Sequence, residues 1–599
     1  MPASVAFAGQ ASDAEGLVRA RVIRLESAQI QNDGKFPPPM SRQAATPNAS
    51  DATDMSAGQV SIFRCLLVAL PGVVVAGLIL LPFLNKAFHI DDLTFLLQAE
   101  HILKDPWHPT AFDMVFHGEK GRNSEGMVSG PIMALLLIPS ILSGGSEWIA
   151  HLTQYVALVV GLLSMASLAL RMGFSPVKAA LATLLLACSP GVLAMTSSAM
   201  ADVPAMSLGI LAMGRLYAWK QERQWWQGAT AGVLLALAAL TRPQLLLLLP
   251  VGAIWLLDDE TWKGVWLHWF RAFLKKTSFP FVIAFVLLAA TTYLLRDPQA
   301  GRNMAGATVD WASHRLLYLN ENLSNLPLQW VLSFPLAIFW VALHGRRFLR
   351  SGLSLAAFLV GIELALATHW TKWYWLCAPA TGLGLAVLVD ILVDAWRRRD
   401  HLQFVCGLWL LIAAPAAVYH HLPVKYLVPS APAMAILIVR DLDFRQRLRT
   451  FCLVTPVVAA CVLLSVLILR ADAAQAEIGR RGGHLIAEKI FESPDRKVWL
   501  DGAWGFQWYG MKAGAIPMTS TPPFPQPGDL IVVGPQGKLA SKLVPRRTRL
   551  FVKDYAASGG RVMQDGAGFH SNPTGPLPWS WGKSSRGKLE VFAVDPTEP

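Results

Sequence analysis

Two adjacent carboxylates, Asp91 and Asp92, follow a long apolar run in the stretch AFHIDDLTFLLQAEHILKD (87–105). A carboxylate held at a bilayer edge can take a proton from an acceptor nucleophile, provided burial or a neighbouring charge tunes its pKa. Adjacent like charges also attract a divalent cation. The competing reading is local: aspartate commonly opens a helix, and DDLTFLLQAEHIL has helical periodicity. Asp202, in SSAMADVPAMSLGIL, poses the same choice at the mouth of another apolar run. Ionisable groups at membrane depth are rare and tend to be functional, yet Val203-Pro204 directly after it suits a helix start.

Cations accompany these acids. Arg242 lies in LTRPQLLLLLP, and Lys425 followed by Tyr426 lies in HHLPVKYLVP. A guanidinium holds phosphate oxygens in a two-pronged grip and an ammonium acts as a point charge, so both suit a lipid-linked phosphate. Basic residues near span ends also snorkel toward water without any further role. Lys372, in HWTKWYW (369–375), is a further candidate for phosphate contact, while Trp373 and Tyr374 read as an interfacial aromatic belt. His314 and Arg315 fall in a polar stretch, 297–327, that includes a segment suited to lying along a membrane surface. No clear metal-ligand cluster stands out, so a divalent metal is left open.

The elements that must position these groups are apolar. Of 599 residues, 53% are hydrophobic and 15% charged, with mean hydropathy +0.41, whereas about a quarter of a soluble chain is charged. That balance makes the chain a polytopic membrane protein. The net charge of +12 sits in short loops between apolar runs, a pattern that topology explains, so no nucleic-acid partner is expected. The six cysteines lie in or beside apolar runs without CxxC spacing, which indicates neither a disulfide framework nor a zinc site. Residues 1–60 read as a disordered cytoplasmic tail. The apolar run 61–84 is too long and too late for a cleaved signal peptide.

Basic loops fix the inside: 171–178, 215–224, 344–350, 396–400 and 440–449. The segment from Gly228 to Leu257 has positive flanks on both sides and must go out and return as a hairpin of short helices, breaking at Thr241-Arg242-Pro243. The fold expected is an all-α membrane bundle of about thirteen helices over 61–470, with juxtamembrane helices in the first outer loop. GPIMALLLIPSIL (130–142) is one of them, too short to span. Residues 471–599 change character, with a helical GGHLIAEKIFES and strand-like KVWLDGAW and DLIVVGP, and form a small soluble α/β domain outside the cytoplasm. On this threading Asp91, Asp92, Asp202, Arg242, Lys372 and Lys425 all reach the outer face.

Together these stretches resemble the C-type integral-membrane glycosyltransferases, near the bacterial protein O-mannosyltransferases and lipid A aminoarabinose transferases of the family 39 type. HIDDLTFLLQAEHIL matches the family's acidic pair and PIMALLLIPSIL its juxtamembrane helix. SEWIAHLTQYVALVVGLLSMASLALRMGF matches the second span, and SSAMADVPAMSLGILAM carries the second-loop Asp. LTRPQLLLLLP supplies the broken hairpin and KYLVPSAPAMAIL the late Lys-Tyr-x-x-Pro entry. The resemblance implies inverting transfer of a sugar from a polyprenyl-phosphate donor to a lipid, glycan or protein acceptor at the periplasmic face of a bacterial inner membrane. It casts Asp91 as base, Asp202 as a group orienting the acceptor or a neighbouring cation, and Arg242 and Lys425 as holders of the departing phosphate. Many relatives have Glu where this chain has Asp92, and they differ over a metal. The alternative is a transporter or flippase of lipid-linked glycans, for which Glu363 is the candidate intramembrane acid. A third reading is a scaffold presenting the C-terminal domain.

Overall fold

The computed structural model describes residues 61–126, 130–257, 278–298, 318–419, 421–556 and 558–596. The expected tail 1–60, His314 and Arg315 lie outside the described residues. From Val60 onward the chain forms one compact unit.

Among the described residues, five helices are long and apolar enough to cross a membrane: Ile62–Phe83, Glu147–Arg171, Thr371–Arg398, His401–Val418 and Arg447–Glu492. Two bent pairs raise the number to seven. The expected count of about thirteen is not reached by that criterion, because the chain breaks its apolar runs. Pro190 follows an extended Ser189 and bends Pro176–Cys188 against Pro190–Thr196 by 62°. Pro335 stands at a 76° bend between Leu319–Leu332 and Leu336–Phe348. Five further apolar helices, Ile132–Leu142 among them, are 10–17 residues long, short of the roughly 20 that a bilayer requires.

The helix Asp202–Glu222 sets the two ends of the bundle apart. At 1.5 Å per residue, Asp202 and Lys220 are separated by about 27 Å along its axis. The basic-loop residues pair at their own end: Arg171 with Glu222 at 2.8 Å, Arg347 with Asp394 at 2.8 Å and Arg440 with Asp400 at 3.0 Å. The cations of those loops stay close to acids of neighbouring segments.

The helix Arg447–Glu492 runs 46 residues without a break, through the boundary expected at 470/471, and its last turns join the C-terminal sheet. Five strands form that sheet in the order β4 (Ile516–Pro517), β3 (Val498–Asp501), β5 (Leu530–Val533), β9 (Ser585–Val594), β6 (Arg547–Ala556). β3 is parallel to β4 and β5, and β9 is antiparallel to β5 and β6. Period-two alternation divides its side chains between two cores. Val498, Leu500, Val532 and Val591 pack with Ile478, Ile486 and Phe506, while Trp499 and Ile531 pack with Ala540 and Val544 on the other face. KVWLDGAW is therefore strand only to Asp501; its Trp504 opens the helix Trp504–Lys512.

Candidate active site

Asp91 lies in the turn that enters the helix Asp92–Ile102, but its side chain caps no backbone group. Its Oδ2 instead accepts from Lys425 Nζ at 2.5 Å, a contact between residues 334 positions apart. Lys425 and Tyr426 belong to the 3-10 helix Val424–Ser430, and Gln244 Nε2 donates to the Tyr426 carbonyl at 2.8 Å. The Arg242 guanidinium stacks over the Tyr426 ring at 5.4 Å and donates to Asp202 Oδ2 at 2.7 Å. Arg242 can do so because Pro243 ends the preceding helix at Thr241 and leaves Arg242 extended, with φ −142° and ψ 116°.

Five of the seven candidates thus form one chain of contacts, Asp91–Lys425–Tyr426–Arg242–Asp202. Asp202 is wholly buried at the first turn of its helix and serves the guanidinium rather than a cap. Burial raises the Asp91 pKa, but the Lys425 ammonium, backed by His421 and Arg242, overrides it and holds the carboxyl well below the usual carboxylate range.

The other two stand apart. Asp92 is fully buried; its Oδ2 accepts from the His89 backbone N–H at 2.8 Å and its Oδ1 has no partner among the described residues. Burial raises its pKa to about 7, with Lys86 and the His89 N–H pulling down and Asp472 and Asp91 pushing further up. Lys372 is exposed on the turn Thr371–Trp373 and forms no ion pair with Asp91, Asp92 or Asp202. Its neighbour Trp373 packs against Gly566 of the C-terminal segment, and Tyr374 Oη donates to the Leu366 and Thr368 carbonyls, so both aromatics have protein partners beyond an interfacial belt.

Sequence reasoning missed a second polar cluster beside the first. Asp472, in the long helix, accepts from Lys86 Nζ on Oδ2 at 2.5 Å. Its Oδ1 lies 2.9 Å from His89 Nδ1 and 3.0 Å from His570 Nε2. All four side chains are buried. The ligand atoms of His89, Asp472 and His570 fall within 4.8 Å of one another, the one such group among the described residues that could hold a metal. However, the Lys86 ammonium on the same carboxylate already neutralises it and opposes a dication. The only sequence signal here was an aspartate in LRADAAQ just past the last apolar run. His117 was missed as well. It sits at the tip of the hairpin β1 (Asp113–Phe116)–β2 (Glu119–Arg122), with φ 51° beside Gly118 at φ 85°, the positive pair that two-residue hairpin turns need. Burial lowers the His117 pKa, the Asp91 charge raises it and Lys538 lowers it, so this imidazole lies within the field of Asp91.

A cavity of about 580 Å³ is lined by Lys220, Trp255, Arg398 and Asp400. It belongs to the basic-loop end, and its size says nothing about the acid–cation chain, where charge and burial are the informative quantities.

Residues 138–295 match the family model described as dolichyl-phosphate-mannose-protein mannosyltransferase. The match supports the C-type glycosyltransferase superfamily. It covers Asp202 and Arg242 but neither Asp91 nor Lys425. It also supports glycosyltransferase activity in a multi-pass membrane protein. No curated protein matches the chain. Among solved structures, the chain is similar to ArnT from Cupriavidus metallidurans bound to undecaprenyl phosphate, with 15% identity, 90% of this chain and 100% of that one covered, and a TM-score of 0.43. It is similar to the oligosaccharyltransferase AglB from Archaeoglobus fulgidus, in complex with an inhibitory peptide and a dolichol-phosphate, with 13% identity, 76% and 64% covered, and a TM-score of 0.42. For the arabinofuranosyltransferase AftD from Mycobacteria the values are 12%, 91% and 40%, and 0.39. Likenesses at these scores do not establish a shared fold.

Proposed function

We propose that the protein is an inverting glycosyltransferase that moves a sugar from a polyprenyl-phosphate donor to a cell-envelope acceptor, at the periplasmic face of a bacterial inner membrane. The observation that carries this reading is the contact chain in which Asp91 and Asp202 each hold a cation, Lys425 and Arg242, and both cations lie over the Tyr426 ring. In the reaction an acceptor oxygen or nitrogen bonds to the anomeric carbon, the bond from that carbon to the phosphate oxygen breaks, and the acceptor proton passes to Asp91. The lipid phosphate leaves as an anion, and preorganised cations stabilise charge where it develops. Arg242 supplies a two-pronged grip on that phosphate, and Asp202 holds Arg242 in place.

Lys425 accounts for a difficulty with Asp91. A carboxylate held far below its usual range is a weak base. When the donor phosphate arrives, its charge competes for the Lys425 ammonium. Asp91 then loses its strongest partner, while burial continues to raise its pKa, so the base strengthens only once donor is bound.

Glu363, the acid that would favour a transporter, lies on the exposed side of the helix Gly352–Leu366 rather than inside the bundle. Deleting the gene and analysing envelope glycans by mass spectrometry tests the proposal. A sugar substituent should disappear and return with the wild-type chain but not with Asp91→Asn. An unchanged envelope, or full restoration by Asp91→Asn, would count against a transferase centred on Asp91.

A further inference from the structure

The Asp91–Lys425 pair joins two loops far apart in sequence, and both are held by the same C-terminal segment. On the Asp91 side, Arg480 Nη2 donates to the Asn85 carbonyl at 2.7 Å and the Phe88 N–H donates to Tyr509 Oη at 2.8 Å. Gly505 lies so close to the Phe88 carbonyl that a Cβ there would sit 1.9 Å from its oxygen, so only glycine fits. Lys86 and His89 then meet Asp472, whose Oδ1 is shared with His570. On the Lys425 side, the Val424 N–H donates to the Phe569 carbonyl at 3.3 Å. The Leu422 N–H donates to Asn572 Oδ1 at 2.8 Å, and Asn572 Nδ2 reaches Asn322 Oδ1 at 2.9 Å. Three residues of the short stretch Phe569 to Asn572, namely Phe569, His570 and Asn572, therefore touch the supports of both members of the pair. His570 and Asn572 are 2% and 0% exposed, so bulk solvent does not reach these contacts.

We propose that the segment Phe569–Asn572 is a two-sided clamp that sets the geometry of the Asp91–Lys425 pair, which makes His570 and Asn572 positioning residues for transfer. The inference rests on the catalytic reading of that pair. Its physical basis is that a small misplacement of a reacting group can cost about a hundredfold in rate. A carboxylate that accepts three donors from two segments far apart in sequence also has one arrangement that satisfies all of them. The C-terminal domain is then part of the catalytic apparatus through its loop, whatever else its surface binds.

The test compares full-length His570→Ala, His570→Gln, Asn572→Ala and the surface control Trp581→Ala, purified in lipid nanodiscs. Hydrogen exchange read by mass spectrometry should rise together in segments 85–92 and 422–427 in both alanine variants. His570→Gln, which keeps a donor near the Nε2 position but is a poor metal ligand, should restore protection. In the deletion strain the alanine variants should lower the glycan product about 10–100-fold at normal protein abundance, with Trp581→Ala unchanged. Exchange that rises only within the C-terminal domain, or in one segment but not the other, overturns the clamp. So does stoichiometric zinc in the wild-type protein that His570→Gln releases along with activity, since the cluster would then be a metal site. If Asp91→Asn retains product, the catalytic reading has failed; if Asp91→Asn abolishes product while both alanine variants match wild type, only the clamp has failed.

Discussion

The Asp91 side chain is 28% exposed and bonded to Lys425 at 2.5 Å, whereas Asp92, one residue on, is fully buried with one oxygen unpartnered. The two carboxyls face opposite polar clusters. Asp91 belongs to the chain through Tyr426 to Arg242, and Asp92 leans toward Lys86 and Asp472 beneath it. Their pKa values move in opposite directions for the same reason weighted differently. Burial pushes both up, and only Asp91 has a cation close enough to reverse it. An acidic pair in sequence is therefore not an acidic pair in function. One member is an ionised group within reach of solvent, and the other is a packed group whose pKa burial pushes up to about 7.

The largest effect should come from Asp91. Asp91→Asn removes the proton acceptor while leaving the side-chain volume unchanged, and turnover should fall about 10²–10⁴-fold. Product formed by the variant in the deletion strain, at matched protein abundance, measures this. Loss of the folded protein instead of loss of turnover would mean that Asp91 is as structural as its neighbour.

Next in size is the guanidinium. Arg242→Lys keeps a charge beside Asp202 but loses the two-pronged grip, so undecaprenyl phosphate should bind about 10–100-fold more weakly, as loss of a charged hydrogen bond implies. Native mass spectrometry of the purified protein with undecaprenyl phosphate reads the change. Equal affinity would confine Arg242 to its ion pair with Asp202.

The chain from Asp91 to Asp202 was largely legible in the sequence because each of its charged members interrupts an apolar context. Arg242 is marked by the helix break at Pro243, Lys425 by the Pro-rich re-entry into helix, and Asp202 by its place at a span's mouth. The buried cluster was not, because its members come from segments that give no joint signal. His570 sits in a Gly/Pro-rich stretch without periodicity, and Asp472 is one acid inside a continuous 46-residue helix. The breaks within spans were not legible where proline divides an apolar run, since composition counts residues and cannot see a 62° or 76° bend. The sheet was legible at its strongest strands, and its order was not, because β9 pairs across more than fifty residues with β5.

Asp92→Asn sharpens the comparison through stability. An acid whose native pKa lies above its unfolded value stabilises the fold while protonated; that contribution is complete below about pH 4 and is lost as pH rises through about 7. Asp91, with its pKa lowered, behaves oppositely: its contribution is present above about pH 4 and is lost only in stronger acid. Lys86, the His89 N–H, Asp472 and Asp91 are the groups that set the Asp92 balance, and none of them is removed by Asn. The thermal midpoint of Asp92→Asn should therefore lose much of the wild-type fall between about pH 4 and 7 and exceed wild type by a few degrees at pH 8. Product formation should stay within about threefold of wild type, because the neutral acid and the amide offer the cluster similar shape and hydrogen-bonding capacity.

The smallest effect is expected at Lys372, which the sequence offered beside Lys425 as a phosphate contact. The two lysines differ in what surrounds them. Lys425 is 2% exposed with its ammonium fixed on Asp91, and Lys372 stands in solvent on a three-residue turn. An exposed ammonium keeps its water and its rotamer freedom, and its attraction to a phosphate is screened beyond about 8 Å at physiological salt. Lys372→Ala should leave both undecaprenyl phosphate binding and product within about twofold of wild type. A loss as large as that of Arg242→Lys would require the turn Thr371–Trp373 to move onto the phosphate when donor binds. The Trp373 contact with Gly566 argues against such movement, because it ties that turn to the C-terminal segment.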